Sequence, residues 1–442
     1  MRKIPVYLLA IILLGVGGGL AYFLMKDMEG PSIRISPDNG RASAIQDITV
    51  YLNDEGSDVK SVIISVRKNN VSSHLMSHTF DPPLKDAEFT FSLEDAKLRD
   101  GAFELEVKAT DTSMAGFGKG NSTTRLFPMR YDSVPPRLSV RTAPPYIYRG
   151  GAGCIAFTAN EELAGAGVKV NELFFPAYRQ ENGEYICFFA FPYNVEVKDY
   201  SPQIVAQDLA GNVASSRLAH YPLARSYYTD TINLSDSFLE SKDGEFMALV
   251  QGDMTPLERF LIVNGEIRRE NDQKLIELGQ NSANQILWSG IFMRLPNASS
   301  PAGFAEFRSY MYNGQLVDQQ THQGADLASL RQAEIPAAND GIIIYTGYMG
   351  IYGEMVLIDH GMGVQTLYSH MSNIHVNVGD RVTKGQTIGQ TGATGMAGGD
   401  HLHFGVYLSG WPVDPKEWFD GQWIKDKITD RLRISDAPMQ QQ

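Results

Sequence analysis

The sequence predicts a mainly β protein made of two β-sandwich modules, a helical connector and a β-rich C-terminal domain. Short alternating strands separated by Asn, Asp, Gly and Pro run through residues 29–223, which is typical of sheets with one face in water. Helical spacing replaces this alternation within residues 224–287, and glycine-rich strands follow in residues 288–425. At 442 residues the chain is also too long for one ordinary core, so several domains are expected.

The N-terminal segment has no charged residue from position 4 to position 25, and it follows Arg2 and Lys3. As a helix it is about as long as the hydrocarbon core of a bilayer is thick, and the basic residues favour a cytoplasmic N-terminus. We therefore expect residues 1–28 to be a transmembrane signal anchor. It would hold the chain by a single pass in the cytoplasmic (inner) membrane, with the bulk on the periplasmic or extracytoplasmic side. A cleaved secretory signal is the alternative, and it exports the chain as well.

The two predicted sandwich modules span residues 29–131 and 132–223. The pair Pro135-Pro136 ends one module and precedes the first strand of the next. Each module closes on a similar phrase, Ala-Thr-Asp-Thr at 109–112 and Ala-Gln-Asp-Leu-Ala-Gly-Asn at 206–212. These phrases resemble the last hairpin of bacterial immunoglobulin-like domains, and the resemblance implies two immunoglobulin-like sandwiches.

Charge and cysteine usage limit the functional classes. A net charge of -13 and a pI near 5.2 exclude a general nucleic-acid binder, because that role needs clustered Lys and Arg to displace phosphate counterions. Cys154 and Cys187 lie in apolar, strand-like segments. An exported chain permits a disulfide between them, and two buried free thiols are the alternative. Neither belongs to a Cys-x-x-Cys pair, so a cysteine metal site is not expected.

The connector, residues 224–287, carries a clear helix start. Thr255 and Glu258 form a capping box, with Pro256 at the first helical position. Asn264-Gly265 is expected to interrupt the helix, which resumes at residue 266. Two interpretations stay open: a plain helical link, or a segment that packs over the groove of the C-terminal domain and regulates access to it.

Five residues of the C-terminal domain indicate metal chemistry. They are His322 and Asp326 in His-Gln-Gly-Ala-Asp, His370 in Leu-Tyr-Ser-His, and His401 and His403 in His-Leu-His. The whole chain has only nine histidines, so four in such short motifs are hard to attribute to packing. Side chains alternate along a strand, so the two histidines of His-Leu-His face the same side. A hydrolytic zinc site usually has three nitrogen or oxygen ligands and one open position for water, which these residues can supply.

A β-hairpin is predicted around His370, with strands at 355–359 and 364–370 joined by a turn at 360–363. Strand alternation places His370 on the same face as Tyr368, while Leu367 and Ser369 point toward packing. We therefore expect Tyr368 to contribute to substrate binding beside the imidazole.

Residues 304–418 resemble the LytM-type, lysostaphin-like zinc endopeptidases of family M23. The motifs that carry the resemblance are His-x-Gly-x-Asp at 322–326, Asp-His-Gly-Met-Gly at 359–363, Leu-Tyr-Ser-His at 367–370, Val-Gly-Asp-Arg-Val-Thr-Lys-Gly-Gln-Thr-Ile-Gly at 378–389, Thr-Gly at 394–395, His-Leu-His-Phe-Gly at 401–405 and Val-Asp-Pro at 413–415. The chain departs from the family pattern at Gln332-Ala333 and at Met362, neither of which is a ligand position.

The resemblance implies that residues 288–425 form a barrel-sandwich-like M23 peptidase domain that cuts peptide bonds of bacterial peptidoglycan with one Zn²⁺. By the same resemblance His322, Asp326 and His403 bind the metal, and His370 and His401 assist catalysis. One of these two imidazoles would take a proton from the attacking water and the other would stabilise the oxyanion. The expected partners are peptidoglycan, the inner membrane and a regulatory protein.

Three other classes compete with this interpretation. Some LytM-type relatives have lost ligands and activate other wall hydrolases, but this chain keeps the complete set. Residues 378–386 also resemble a lipoyl or biotinyl carrier, although no lysine lies at an exposed tip between matching hairpin halves. A serine hydrolase would need a Gly-x-Ser-x-Gly elbow, which the sequence lacks. The last segment, residues 426–442, is predicted to be a polar, unpacked tail.

Overall fold

The computed structural model describes Gly15, residues 27–69 and residues 71–433, with the side chains of residues 116 and 117 excepted. The predicted anchor, residues 1–28, therefore lies almost wholly outside the described residues. Within the described part of the chain no helix is long and apolar enough to cross a bilayer.

The described residues are mainly β, as predicted, and they fall into two compact units. The first unit contains the described part of Met1–Pro136 with Glu161–Ala164 and Gln207–Ala214, and the second contains Arg137–Asn160, Gly165–Ala206 and the described part of Ser215–Gln442.

Two sheets with the orders β1-β3-β6 and β2-β8-β7-β4-β5 build the first unit around one core. The strands are β1 Ser32–Ser36, β2 Arg41–Ala42, β3 Ile48–Asn53, β4 Val59–Lys68, β5 Val71–Leu84, β6 Asp86–Phe91, β7 Gly101–Asp111 and β8 Ser122–Tyr131, with a 3₁₀ turn Glu94–Ala96 and a short helix α1 Ala115–Gly118. Burial alternates along β4 and β7, where Ile64 lies opposite Val107 and Val66 opposite Leu105. Each such side chain contributes roughly 1.5–3 kcal/mol by leaving water.

The segment predicted as the second module forms two sheets of four strands each, β14-β15-β11-β9 and β13-β12-β16-β17, and one further strand pair, β10-β18. The strands are β9 Leu138–Thr142, β10 Tyr146–Tyr148, β11 Ala152–Ala159, β12 Leu163–Val170, β13 Leu173–Pro176, β14 Tyr178–Arg179, β15 Tyr185–Ala190, β16 Gln203–Asp208, β17 Val213–Arg217 and β18 Tyr221–Leu223, with a 3₁₀ turn Val197–Asp199. The immunoglobulin-like character of both modules stays a prediction.

The two cysteines lie on neighbouring strands, and both are buried free thiols. Cys154 pairs with Phe188, and Cys187 pairs with Ile155. Because side chains alternate along a strand, this offset of one residue turns the two thiols to opposite faces of the sheet. The sequence left a disulfide and two free thiols as alternatives, and the structure shows two free thiols.

The predicted connector contains one strand and three helices: β19 Thr229–Asn233, α2 Asp236–Phe246, α3 Pro256–Ile262 and α4 Arg268–Gly279. The Thr255 and Glu258 capping box is present. The expected interruption at Asn264-Gly265 is wrong, because a π-helical turn Val263–Ile267 joins α3 to α4. The side chain of buried Asn264 donates a hydrogen bond to Asp318 Oδ2 (2.7 Å) and accepts one from Arg268 Nη2 (2.6 Å). These contacts outweigh the low helix propensity of asparagine.

The C-terminal part has a branched sheet along the path β20-β23-β30-β27-β26-β25-β28, with β24, β29 and β31 attached, and a separate three-stranded sheet in the order β19-β21-β22. Its strands are β20 Ser299–Ala302, β21 Phe307–Tyr312, β22 Gln315–Thr321, β23 Ala325–Ala328, β24 Glu334–Pro336, β25 Gly341–Tyr348, β26 Glu354–Asp359, β27 Val364–Ile374, β28 Arg381–Val382, β29 Thr387–Thr391, β30 Leu402–Leu408 and β31 Trp411–Val413, with a 3₁₀ turn Gly350–Tyr352. The antiparallel pair β26-β27 confirms the predicted hairpin.

Helical turns follow the last strand: α5 Pro415–Trp418, α6 Gly421–Ile424, a π-helical turn Lys425–Thr429 and α7 Asp430–Leu432. Ile428 and Leu432 are buried. Packing therefore continues to residue 432, past the predicted start of the polar tail at residue 426, because these two apolar side chains share one helical face. Residues 434–442 lie outside the described part.

Glu417 gives the fold a testable pH dependence. Its buried carboxylate accepts the Ala152 N–H (2.8 Å) and pairs with Arg225 (3.2 Å). Burial raises the pKa of Glu417 from 4.5 to about 7, and the Arg225 charge opposes only part of the rise. The folded protein then binds more protons than the unfolded chain between pH 4.5 and 7. The free energy of unfolding should therefore fall by about 2–3 kcal/mol as the pH rises through this window.

Urea unfolding at pH 5 and pH 8 measures this effect. Glu417→Gln should lose that part of the pH dependence, whereas Glu334→Gln, at an exposed position, should keep it. Identical pH dependence in the wild type and Glu417→Gln would contradict the assignment.

Candidate metal centre

Three predicted ligands meet at one point in the second unit. The pairing of β23 with β30 places Asp326 opposite His403, and His322 follows directly after β22. His322 Nε2 lies 2.9 Å from Asp326 Oδ1 and 2.8 Å from His403 Nδ1, and His403 Nδ1 lies 3.0 Å from Asp326 Oδ1. All three residues are nine-tenths buried or more. The sequence-predicted ligand set is therefore brought together.

This triangle fits a zinc ion. His322 donates its Nδ1–H to the Gly303 carbonyl (2.7 Å), so the lone pair of Nε2 points into the cluster. Two imidazole nitrogens at 2.8 Å need a proton or a cation between them. Three donors about 3 Å apart can each reach a metal at about 2.0–2.2 Å, and two nitrogens with one carboxylate oxygen suit zinc.

Gly324 explains the spacing of His-x-Gly-x-Asp. A Cβ at this position would lie 2.6 Å from the Phe404 carbonyl oxygen and 2.7 Å from His403 Nε2. Only glycine leaves room for the His403 ring to enter the cluster.

Arg308 on β21 supports the carboxylate from outside the cluster. Its Nη2 donates to Asp326 Oδ2 at 3.1 Å, while Oδ1 faces the histidines. Burial alone would raise the pKa of Asp326, but His322 and hydrogen bonds from the neighbouring imidazoles hold it well below its ordinary value. No motif marks Arg308, and the β21-β22 pairing that brings it here could not be read from the sequence.

Arg308→Met should weaken zinc binding by about 10–100-fold, because Asp326 loses the donor that fixes its orientation. Competition with a chromogenic zinc chelator measures the affinity. Arg294→Met changes an exposed arginine of the same domain and serves as the control. Equal affinity in the two variants would remove Arg308 from the site.

Two further imidazoles border the cluster. His370 donates Nδ1–H to the Thr394 carbonyl and His401 donates Nδ1–H to the Gly399 carbonyl, both at 2.8 Å. The Nε2 atoms therefore carry the lone pairs, and the two ring centroids are 4.9 Å apart. Burial, reinforced by the other imidazoles, lowers the pKa of His370 well below 6.5, which keeps it neutral. Burial lowers the pKa of His401, but the Asp326 carboxylate, 3.5 Å from His401 Nε2, raises it more. The pKa of His401 therefore lies above its ordinary value.

The predicted place of Tyr368 in the substrate-binding surface is wrong. Its ring is 1% exposed, and its hydroxyl accepts the Ala338 N–H (2.7 Å) and a hydrogen bond from Thr366 (2.9 Å). The reason is His370, whose φ of 61° is left-handed. This conformation breaks the alternation of β27, so the His370 imidazole turns away from the face of Tyr368.

A groove with a volume of about 380 Å³ opens beside the cluster. Strands and loops of the C-terminal sheet form one part of it, with His322, Asp326, His370, His401 and His403. The predicted connector forms another part, and its lining residues are Asp230, Ile232, Asn233, Leu234, Phe238, Phe260 and Arg268. The connector thus forms a wall of the groove. The sequence had predicted this position only as one of two alternatives.

Helix α2 also holds the loop that orients His370. Lys242 Nζ donates to the Ala393 carbonyl, and Glu245 Oε1 accepts the Gly395 N–H, both at 2.5 Å. Thr394, between these two contacts, is the residue whose carbonyl accepts from His370. The position of this imidazole therefore depends on the connector.

Residues 320–415 match the family model Peptidase family M23. This segment, less than half of the chain, contains the three clustered ligands and both bordering histidines. The fold and the family match together define an M23 peptidase-like domain in this segment.

Among curated proteins, the chain is similar to the DD-carboxypeptidase/endopeptidase Mpg of Neisseria meningitidis serogroup B, with 38% identity over 117 residues. It is also similar to the peptidoglycan DD-endopeptidase ShyA of Vibrio cholerae, with 37% identity over 93 residues. These alignments cover 26% and 21% of this chain, and they span only 26% and 22% of the relatives.

Among solved structures, a putative M23 peptidase from Pseudomonas aeruginosa aligns with a TM-score of 0.37 and 20% identity. That alignment covers 63% of this chain and 95% of the other.

Proposed function

We propose that the C-terminal domain is a zinc-dependent endopeptidase that hydrolyses peptide bonds in bacterial peptidoglycan. The observation that carries this proposal is the convergence of His322 Nε2, Asp326 Oδ1 and His403 Nδ1 within 3.0 Å of one another, beside two further imidazoles. The family match supports the peptidase class. The names of the two curated relatives, a DD-carboxypeptidase/endopeptidase and a peptidoglycan DD-endopeptidase, support the substrate.

The residues divide the chemistry between them. His322, Asp326 and His403 would hold one Zn²⁺, which supplies a Lewis acid and lowers the pKa of bound water. His370 is buried and neutral, so its Nε2 is able to take a proton from water at the edge of the groove. His401 lies beside it, and because Asp326 raises its pKa, the protonated imidazole would donate from Nε2 to a developing oxyanion. The connector wall excludes solvent from one side of the groove and supports the His370 loop.

The same proposal places the enzyme outside the cytoplasm. The uncharged stretch at residues 4–25 supports a single-pass anchor in the inner membrane, and residues 29–223 would be two immunoglobulin-like modules between anchor and peptidase. This arrangement would bring the groove to the depth of the wall, where a regulatory protein can also reach it.

Digestion of purified peptidoglycan by the full-length protein tests the function. New amine ends, identified by mass spectrometry, should appear with zinc-loaded protein, disappear with chelator and return with added ZnSO₄. Which amine ends appear identifies the bond that is cut.

A zinc-loaded protein that produces no new amine ends, yet stimulates a separate wall hydrolase, would overturn the proposal. That result would favour the alternative of a non-enzymatic regulator. Digestion that persists in chelator would instead exclude a metal mechanism.

A further inference from the structure

The first unit contains a cluster of oxygen donors that the peptidase chemistry does not use. Asp27, Asp54 and Asp111 each offer one carboxylate oxygen, and these atoms lie within 4.8 Å of one another. Asp27 precedes β1, Asp54 follows β3, and Asp111 ends β7. Three carboxylates at this spacing repel one another unless a cation lies among them.

Two of these carboxylates are not fully satisfied by hydrogen bonds among the described residues. Asp54 is 4% exposed, and its Oδ1 accepts the N–H groups of Gly56 (2.9 Å) and Ser57 (2.8 Å). Its Oδ2 and Asp27 Oδ2 are both buried, and neither has a hydrogen-bond partner within the part of the chain that the structure describes. A buried carboxylate oxygen without a donor costs free energy, so both atoms are positioned to bind a cation.

The surrounding hydrogen bonds hold the donors in place. Asn121 donates its backbone N–H to Asp111 Oδ1 (2.7 Å) and its side-chain amide to Asp111 Oδ2 (3.1 Å). The same amide donates to the carbonyls of Asp27 (3.2 Å) and Glu29 (3.1 Å). A Cβ on Gly56 would lie 2.5 Å from Asp27 Cγ, so glycine gives this carboxylate its space.

A similar arrangement, in which an asparagine holds one aspartate of an acidic cluster, occurs among the described residues of the same unit around Asp132, Glu161 and Asp208. There Asn212 donates its N–H to Asp208 Oδ1 and its amide to Asp208 Oδ2, both at 2.9 Å, and the amide also reaches the Asp132 carbonyl (3.0 Å). In this second cluster Asp208, like Asp111 in the first, has both oxygens hydrogen-bonded, and none of the buried carboxylate oxygens of these three described residues lacks a partner. The inference is therefore confined to the first cluster, which alone combines this arrangement with unpartnered carboxylate oxygens on described residues.

We propose that Asp27, Asp54 and Asp111 bind a calcium ion. The donors are all oxygens, which hard cations prefer, and Ca²⁺ accepts six to eight of them at about 2.3–2.6 Å in irregular geometry, with water completing the shell. Mg²⁺ demands a near-ideal octahedron, which three carboxylates from separate loops do not supply. The ion joins the segment before β1 to the loops after β3 and β7, and so orders the entry of the chain into the first unit.

Calorimetric titration of the full-length, zinc-saturated protein in mild detergent with CaCl₂ tests the proposal. The wild type should bind one more Ca²⁺ than Asp54→Asn, with a dissociation constant on the order of 10⁻⁴–10⁻³ M as in extracellular modules. Asp58→Asn is the control, because Asp58 is exposed on the same loop and outside the cluster. Equal stoichiometry in all three proteins overturns the proposal, and tighter binding of MgCl₂ than of CaCl₂ overturns the choice of metal.

Thermal unfolding separates loss of binding from loss of folding. In metal-free buffer Asp54→Asn should melt no lower than the wild type, because the substitution relieves carboxylate repulsion and keeps an oxygen at Oδ1. At about 10 mM CaCl₂ the wild type should gain roughly 5 °C in its first transition and the variant should gain nothing. Asp27→Asn provides a second variant with the same expectation. An equal gain in the wild type and both variants counts against the site.

Discussion

His403→Ala is expected to yield a folded protein that retains no zinc and does not cut peptidoglycan. The substitution removes the nitrogen that lies 2.8 Å from His322 Nε2 and 3.0 Å from Asp326 Oδ1, so two donors remain for the metal. Zinc content by plasma mass spectrometry should fall close to zero. Activity should fall by at least about 10³-fold, because several kcal/mol of transition-state stabilisation depend on the ion.

A loss of folding would give the same two readings, so the circular dichroism spectrum must be compared with that of the wild type. His375→Ala is the matched control, because His375 is exposed and, among the described residues, its imidazole is hydrogen-bonded only to the Asn373 amide. It should keep both zinc and activity. Full zinc occupancy in His403→Ala would remove His403 from the ligand set.

His370→Ala is expected to keep zinc and still lose about 10²–10⁴-fold in kcat, because general acid–base catalysis by one imidazole contributes that much. Its Nδ1 is bonded to the Thr394 carbonyl, and its ring lies 4.9 Å from the His401 ring and 5.8 Å from the His403 ring. The imidazole thus borders the three ligands without belonging to the triangle.

The comparison of His370→Ala with His403→Ala is the decisive measurement. Equal zinc content in the two variants contradicts the division between ligand and catalytic base. Substitution of His401 by alanine in the same assay, with kcat measured from pH 5 to 9, shows which imidazole accepts the proton. The variant that loses the acidic limb of the profile lacks the base.

The sequence predicted which residues meet in the cluster, because each lies in a short motif whose geometry is local. His401 and His403 alternate on one strand, and Gly324 permits the turn between His322 and Asp326. The β26-β27 hairpin followed equally from strand spacing and a turn. Such features need only the period of a strand or the freedom of glycine.

Features that depend on distant packing were missed. His370 has a left-handed φ, and its imidazole bonds the distant Thr394 carbonyl, so strand alternation gave the wrong face for Tyr368. The bond from Arg308 to Asp326 arises from strand pairing that no motif encodes. The π-helical turn at Asn264 depends on Asp318, more than fifty positions away in the chain.

The helices of the predicted connector and the C-terminal sheets share one buried core, and this has a practical consequence for preparing fragments of the protein. Phe246, Phe260 and Leu275 of the helices lie in one buried cluster with Tyr310 of β21 and Leu367 of β27. An expression fragment cut at residue 288 would uncover that cluster and aggregate, although it would contain every ligand. A usable fragment must begin before Arg137, so that β19, all three helices and the contacts of Glu417 with Ala152 and Arg225 remain with the sheets.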